Sequence, residues 1–353
     1  MFVAWRDLRF ARGRFVLIGA VVALITILVG FLSGLTGGLA WQNVSGVVGL
    51  SADRVVLGPS SPGATPSYAD SAITAQQEAQ WQDAAGVTTV TPLGISQARA
   101  ETADAREAVA VFGGALPAAP TADGQIVLSS GAARALSADP GDTVTIAGTD
   151  FAVTSITADD WYSHTPVVYT TLSDWQSLAA MLGTPGAFAT ALLVTGDVAD
   201  AAGVDATATT VSSSVLASLT SLPAFRSEIG SLALIIALLF GISALVVGSF
   251  FAVWTMQRRG DVAILKALGA TNRALVRDAL GQAAVILAAG TVLGMAVVVA
   301  AALALGDALP FLLNPLTTVV PAVLLIVLGL VGAGFSLRTI TTADPLTALG
   351  SNR

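Results

Sequence analysis

Three residues with reactive or recognition side chains stand directly before a long uncharged segment. Phe225, Arg226 and Glu228 precede the 27 uncharged residues Ile229–Thr255. Two Glu228 carboxylates facing each other across a twofold axis would offer ligands to an iron centre, while Arg226 would bind carboxylates on a ligand's edge. The alternative is structural, with Ser227 capping a helix and Glu228 stabilised by the helix dipole in its first turn. The sequence leaves both interpretations open.

Closely spaced glycines form a second candidate site in the string GFLSGLTGGLAW. Gly30, Gly34 and Gly38 follow the G-x-x-x-G spacing, and Gly37 lies beside them. Small residues at this spacing let helix backbones approach closely in lipid. The face then packs against Ile229–Thr255 or between two copies of the chain. Otherwise it forms a flat groove that admits a planar hydrophobic molecule where two copies meet.

Cysteine and histidine usage limits the remaining chemistry. The chain has no cysteine, which excludes disulfides, thiolate metal sites and a cysteine nucleophile. Its single histidine, His164, excludes a centre built from several histidines. His164 lies in the polar string DDWYSHTP, near Tyr162 and Tyr169. It is either an iron ligand or an ordinary surface histidine.

The elements that position these residues are membrane spans. With 54% hydrophobic residues, 11% charged residues and a mean hydropathy of +0.78, the 353-residue chain is neither wholly soluble nor disordered. Four segments are long and apolar enough to cross a bilayer core about 30 Å thick. These predicted spans one to four are residues 15–40, 228–256, 279–305 and 317–337. A cleaved signal peptide is the alternative for span one, although its apolar run is longer than signal peptides have.

Charge predicts the orientation of the chain. Basic residues concentrate next to membrane spans on the cytoplasmic side, and 11 of the 16 lie in residues 1–14, 257–278 and 338–353. Residues 41–227 instead carry 17 acidic residues and five arginines. We therefore expect both termini in the cytoplasm, residues 41–227 outside the plasma membrane, and residues 306–316 as a short outer loop. Lipid is an expected partner and nucleic acid is not.

The outside segment has the pattern of a mixed α/β domain. Short β-branched runs separated by Gly, Pro and Asp predict strands at Gln125–Ser129, Thr143–Ile146, Phe151–Ile156, Val167–Thr170 and Ala191–Val194. Helical spacing predicts helices at Thr74–Ala85, Gly131–Ser137 and Ser173–Leu182. Ser173 is the expected N-cap of the last helix.

The cytoplasmic segment 257–278 contains the most specific string, RRGDVAILKALGAT. Val262, Leu265 and Leu268 form an apolar stripe, Asp261 lies in the first turn, and Gly269 suits a C-cap. The pattern predicts a short amphipathic helix parallel to the membrane. Periodicity alone does not separate a docking helix from a simple interfacial one.

The string resembles the coupling loop of the MacB/FtsX-type ABC transporter permeases (type VII-like), with Asp261 where that family has glutamate. AWRDLRFARGRFVL is similar to the family's amphipathic elbow, here residues 1–14. Gly124–Ile156 is similar to its extracytoplasmic signature, and DPLTALGSNR to its ending. The resemblance implies an α-helical membrane protein with four transmembrane helices and one mixed α/β extracytoplasmic domain inserted between spans one and two.

The resemblance also implies partners. The chain would work with a second copy of itself and two copies of a cytoplasmic ABC ATPase. It has no G-x-x-x-x-G-K-[ST] loop, so ATP would be bound by the partner and this subunit would not be a catalyst. Leu265 and Leu268 are the expected anchors in the ATPase and Lys266 a charge at the rim. The expected ATPase-coupling residues are Arg259, Asp261, Val262, Leu265, Lys266 and Leu268.

Within this family, the layout is similar to the haem-efflux permeases of Gram-positive bacteria. That likeness implies haem as the transported substrate, no intrinsic cofactor, and lateral entry from the outer leaflet at the seam of the dimer. Glu228 would bind the haem iron. The expected substrate-binding residues are Phe225, Arg226, Glu228, Gly30, Gly34, Gly37 and Gly38.

Three other functions remain open at this point. The first is export of a lipid or a peptide antibiotic. The second is a mechanotransmitting complex that controls a cell-wall hydrolase, although the division-type members have smaller outside domains. The third is lipoprotein extraction, which is tied to cells with two membranes and usually to longer outside domains.

Overall fold

The computed structural model describes residues 12–59, 61, 63–257, 266 and 269–341. Four of its helices are long and apolar enough to cross a membrane, and an α/β domain lies between the first two in sequence, which confirms the expected fold class. The chain divides into a membrane unit, up to Gly38 and from Ser231 onward, and an outer unit, Leu39–Gly230. The long helices are α1 (Arg12–Val48), α7 (Pro223–Gln257), α8 (Asn272–Leu305) and α9 (Pro315–Thr341).

These helices extend beyond the apolar runs in the sequence. α1 continues past Ala40 to Val48 because Val44 and Val47 are buried in the core of the outer unit. α7 begins at Pro223 rather than 228, and proline suits the first helical position because it lacks an N–H. Packing and capping therefore set the helix ends, while hydropathy marks only the membrane-crossing parts.

The membrane unit is organised around α8. A Cβ on Gly290 would lie 2.8 Å from Val22 Cγ1, and one on Gly294 would lie 2.6 Å from the Ala23 carbonyl oxygen. These glycines therefore bring α8 against α1. On α9, the Ser336 hydroxyl donates a 2.7 Å hydrogen bond to the Gly248 carbonyl of α7. A hydroxyl bonded to backbone in this way satisfies a polar group that lipid could not.

α7 is the least covered of the four long helices. Only 6% of its most apolar stretch is buried, against 39% for α8. Its exposed large side chains follow helical spacing and include Leu234, Leu238, Ile242 and Leu245. α7 therefore has an apolar face available to lipid or to another membrane protein.

The outer unit is built on one sheet. Its strands are β1 (Arg54–Leu57), β2 (Val87–Glu101), β3 (Arg106–Gly114), β4 (Gln125–Ser129), β5 (Thr143–Ile146), β6 (Thr149–Thr157), β7 (Trp161–Tyr162), β8 (Thr165–Thr170), β9 (Ala191–Gly196) and β10 (Val211–Ser214). The order is β10-β1-β9-β2-β3-β8-β4-β6-β5, with β7 paired to β8. β5 also pairs with β2 at Ala100 and Glu101, so β2, β3, β8, β4, β6 and β5 close into a ring.

Short helices pack on this sheet. They are α2 (Ala75–Gln82), α3 (Ser130–Leu136), α4 (Leu172–Met181), α5 (Ala201–Ala208) and α6 (Val215–Ser218). Gly94 and Gly113 make room for the Trp175 side chain of α4, because a Cβ on either would lie within 2.1 Å of it. The Trp175 indole also donates to the Ser96 hydroxyl. These contacts fix the position of α4 on the sheet.

The predicted strands at Gln125–Ser129 and Thr143–Ile146 are confirmed with the same bounds. The longest strand, β2, was not predicted. Its sequence VTTVTPLGISQARAE contains proline and glycine and lacks a clean alternation, since it pairs with β9, β3 and β5 along different parts of its length. Its neighbour β3 was also missed. Because the neighbouring strands change along β2 and β3, their buried and exposed residues do not alternate regularly. Strand prediction from sequence depends on that alternation.

The expected N-cap Ser173 is wrong, because α4 begins at Leu172 and Thr171 accepts the capping bond from the Asp174 amide. Thr171→Ala should therefore destabilise α4 by about 1 kcal/mol and speed amide exchange in its first turn about fivefold. Hydrogen exchange measured by mass spectrometry on the assembled complex tests this. Ser173→Ala is the matched control and should leave exchange unchanged. Equal effects of the two substitutions would contradict the assignment.

Candidate functional site

Glu228 does not lie in the first turn of its helix. Because α7 begins at Pro223, Glu228 is in the second turn and Ser227 is inside the helix. The structural interpretation, with Ser227 as the cap and Glu228 against the dipole, is therefore wrong. The helix dipole acts mainly within the first turn, so another contact must account for a carboxylate at this position.

That contact is a cluster of three side chains, Asn43, His164 and Glu228, here called the outer cluster. His164 Nε2 lies 2.9 Å from Glu228 Oε2. Asn43 Nδ2 donates to the same oxygen at 3.1 Å and lies 3.4 Å from His164 Nε2. The three residues come from α1, the β7–β8 hairpin and α7, and all belong to the outer unit.

The hairpin tip is held by the backbone of α1. The Ser163 amide donates to the Asn43 carbonyl at 2.9 Å, and the His164 amide donates to the Gln42 carbonyl at 3.0 Å. Ser163 and His164 have φ values of +47° and +64°, in the left-handed region that histidine adopts more readily than most residues. Gly46 lets the hairpin approach, because a Cβ there would lie 3.1 Å from the Trp161 carbonyl oxygen.

The members of the outer cluster differ in exposure. The His164 and Glu228 side chains are 37% and 27% exposed, so both reach solvent. Asn43 is fully buried, and its Oδ1 has no hydrogen-bond partner. A buried amide oxygen without a partner costs about 1–3 kcal/mol and calls for a physical explanation.

The other residues expected beside Glu228 have different surroundings. Phe225 is partly buried and packs against the outer unit's core, whereas Arg226 is exposed. Two positions apart on a helix, Arg226 and Glu228 do not share a face. Arg226 therefore lies on a different side of α7 from Glu228.

The four glycines of α1 pack within their own chain. A Cβ on Gly30 would lie 3.2 Å from the Met295 methyl carbon, and one on Gly34 would lie 2.0 Å from the Phe311 ring. A Cβ on Gly37 would lie 2.6 Å from Thr317, and one on Gly38 only 1.8 Å from the Pro310 carbonyl oxygen. Their partners are α8, the loop before α9 and the start of α9, not the predicted span two. This face is filled in the protomer and is not an open groove.

The two tyrosines near His164 are core residues. Tyr162 and Tyr169 are both buried, and the Tyr169 hydroxyl donates to Asp160 Oδ2 at 2.9 Å. Burial is the main cause that raises the pKa of both phenols above their usual value. Burial also raises the pKa of Asp160, while the Tyr169 hydrogen bond opposes it. Neither tyrosine is therefore a ready phenolate ligand at neutral pH.

Most of the expected coupling residues lie outside the described residues, namely Arg259, Asp261, Val262, Leu265 and Leu268. Lys266 is helical, and Gly269 has φ +95°, the left-handed conformation expected of a C-cap glycine. α8 begins at Asn272, and the hydroxyl of its N-cap, Thr271, accepts a hydrogen bond from the Ala274 amide.

Among the described residues, no group of three or more His, Cys, Asp or Glu side chains is arranged to hold a metal ion.

Residues 233–345 match the family model described as FtsX-like permease C-terminal. The chain contains an FtsX-like permease domain. This domain includes most of α7 and the whole of α8 and α9. The protein is thus a multi-pass membrane permease of an ABC-type transporter with an extracytoplasmic α/β domain, and permeases of this type function with ABC ATPase partners.

Relatives match beyond the FtsX-like permease domain. The chain is 23% identical over 364 residues to a putative hemin transport system permease protein HrtB of Staphylococcus epidermidis, covering 100% of both chains. It is 25% identical over 362 residues to the protein of that name from Staphylococcus haemolyticus, covering 99% of each.

Two solved structures are similar to about half of the chain. The periplasmic region of MacB from Actinobacillus actinomycetemcomitans aligns with a TM-score of 0.36 and 13% identity, covering 49% of this chain and 94% of that one. The extracellular domain of the noncanonic ABC-type transporter YknZ from Gram-positive bacteria aligns with a TM-score of 0.31 and 12% identity, covering 48% and 93%.

Proposed function

We propose that this permease is the membrane subunit of an ATP-driven exporter of haem. The observation that carries the proposal is similarity along the entire chain to two putative hemin transport permeases. The similarity includes the outer unit as well as the FtsX-like permease domain, because each alignment covers 99–100% of this chain and of the relative. A shared substrate is the simplest reason for this chain and its relatives to be similar in both the outer unit and the permease domain.

The outer cluster supplies the chemistry for such a substrate. Glu228 is a partly exposed carboxylate in the second turn of α7, next to its uncharged stretch. In our proposal two copies of the chain pair so that their Glu228 carboxylates face a haem that enters sideways from the outer leaflet. Carboxylate oxygen is a suitable ligand for ferric iron, and exposed Arg226 suits the propionates at the haem edge.

ATP hydrolysis by two partner subunits would drive release. The amphipathic segment that contains Leu265 and Leu268 would seat in the ATPase, and closure of the dimer would expel haem outward. Both termini and this segment would then lie in the cytoplasm, in agreement with their basic charge. The apolar face of α7 is the surface available for the second copy.

Glu228→Ala is expected to abolish haem binding by the purified permease–ATPase complex. The test is an absorption spectrum of complex isolated from haem-supplied cells, where the wild-type complex should show a Soret band that the variant loses. Glu107→Ala is the matched control, since Glu107 is an exposed carboxylate on β3. The control should keep the band at full strength.

Different outcomes separate the parts of this proposal. A wild-type complex that binds no haem, together with haem tolerance unchanged by deletion of the gene, would refute haem export and leave the ABC permease assignment in place. Export of a lipid or a peptide antibiotic, or control of a cell-wall hydrolase, would then be the functions to test. A Soret band retained by Glu228→Ala would refute only the assigned ligand.

A further inference from the structure

In the outer cluster two donors, Asn43 Nδ2 and His164 Nε2, share one acceptor oxygen of Glu228. A carboxylate oxygen can only accept, so the 2.9 Å contact between Glu228 Oε2 and His164 Nε2 requires a proton on Nε2. Asn43 Nδ2 is also a donor, and it lies 3.4 Å from that same Nε2. Asn43 Nδ2 and His164 Nε2 therefore both donate to Glu228 Oε2 and do not bond to each other, while the Asn43 acceptor Oδ1 is buried without a partner.

Rotating the Asn43 amide by 180° would offer the His164 Nε2–H a second acceptor, because Oδ1 would then lie beside it. The rotation is unfavourable while Glu228 stays in place, since Oδ1 would replace Nδ2 beside Oε2, 3.1 Å away. Two oxygens that only accept would then face each other. The present arrangement is thus stable only as long as the carboxylate is bound in the cluster.

We propose that the outer cluster is a two-position latch on Glu228. Without substrate, His164 and Asn43 together hold Oε2. When Glu228 turns to a ligand, the Asn43 amide rotates and its Oδ1 takes over the Nε2–H of His164. Asn43 and His164 are positioning residues in this scheme, and they do not touch the substrate.

The backbone contacts make this exchange local. The hairpin tip stays on α1 through the Ser163 and His164 amides, whichever partner the imidazole has. Asn43 is anchored by its complete burial, so only its amide group has to rotate. The Glu228 side chain is 27% exposed, so its carboxylate can turn outward without unpacking the core.

The inference rests on the proposed function for its ligand but makes an independent claim about the substrate-free protein. Removing the competing donor should strengthen binding at Glu228. His164 donates one of the two hydrogen bonds that hold Oε2, and its partial exposure weakens that bond, so His164→Ala should bind haem about threefold to tenfold more tightly. His164→Gln keeps an N–H donor and should bind with nearly wild-type affinity.

A single histidine permits a direct test. The permease labelled with ¹⁵N-histidine, assembled with unlabelled ATPase in lipid bilayers, should give one imidazole signal pair in solid-state NMR, with Nε2 protonated. Glu228→Ala should shift the Nε2 signal in substrate-free protein. Diamagnetic gallium(III) protoporphyrin IX should shift the wild-type signal in the same direction. Asn43→Leu should retain the substrate-free signal and lose the porphyrin-bound one, because it removes the alternative acceptor.

Each contrary result has a distinct meaning. An Nε2 signal unchanged by Glu228→Ala overturns the latch, whether or not porphyrin binds. Porphyrin that binds, seen by its absorption, without moving the Nε2 signal overturns the release step. A wild-type protein that binds neither haem nor the gallium analogue overturns the proposed function and the release step together. Weaker haem binding by His164→Ala than by His164→Gln also contradicts the latch.

Discussion

Gly38→Ala is expected to prevent accumulation of the folded permease. A Cβ on Gly38 would lie 1.8 Å from the Pro310 carbonyl oxygen and 2.3 Å from its carbonyl carbon. Both are backbone atoms and cannot rotate away as a side chain can. α1 and the loop before α9 would have to separate. That movement would break the 3.0 Å hydrogen bond that the Leu312 amide of this loop donates to the Gly34 carbonyl of α1. Overpacking usually costs 1–3 kcal/mol, and this backbone clash should cost about 3 kcal/mol or more.

The measurement is the yield of monodisperse permease–ATPase complex, with an expected loss of more than tenfold. Gly19→Ala in the same helix is the control, because no atom lies within 4 Å of the added Cβ. Gly34→Ala should be intermediate, since its nearest neighbour is the Phe311 side chain, which can move. A Gly38→Ala complex obtained at wild-type yield would contradict the packing of α1 on this loop.

Leu265→Asp is expected to abolish stimulation of the ATPase by the permease. Leu265 lies in the middle of the apolar stripe with Val262 and Leu268. If that stripe seats in the ATPase, the substitution buries an unpaired carboxylate, which costs several kcal/mol. ATP hydrolysis by the complex in liposomes should fall at least tenfold, to the level of the ATPase alone.

Lys266→Gln is the neighbouring control for this experiment. A charge at the rim of an interface contributes about 0–1 kcal/mol, so the variant should retain most of the stimulation. Full stimulation in Leu265→Asp would show that the stripe faces lipid instead of the ATPase. Equal losses in both variants would favour a charge-based contact over an apolar anchor.

The apolar segments were predictable because the bilayer imposes a length and a composition on every residue that crosses it. The helix ends were not, since they depend on contacts made far away in sequence. Val44 and Val47 extend α1 only because the outer unit provides a core for them. Proline at position 223 was a readable signal of the α7 start, and it also corrects the position of Glu228 within that helix.

The sequence predicted one residue of the outer cluster but not the residues that contact it. Glu228 could be singled out from its position beside an uncharged run, and it remains a prediction as the haem ligand. Its partners could not be inferred, because Asn43 and His164 are separated from it by 185 and 64 residues and no periodicity links them. The only available signal was that His164 is the single histidine of the chain. The contacts of His164 with α1 and with Glu228 arise from the hairpin geometry.

The closed ring of strands in the outer unit has a consequence for self-association. Each strand of the ring has a neighbour on both sides over part of its length, which leaves little free edge for a strand from another molecule. β10, at the end of the strand order, pairs with β1, is four residues long and contains three serines. Short, polar edges are poor templates for aggregation. The topology of the sheet therefore protects the outer unit against strand-by-strand association.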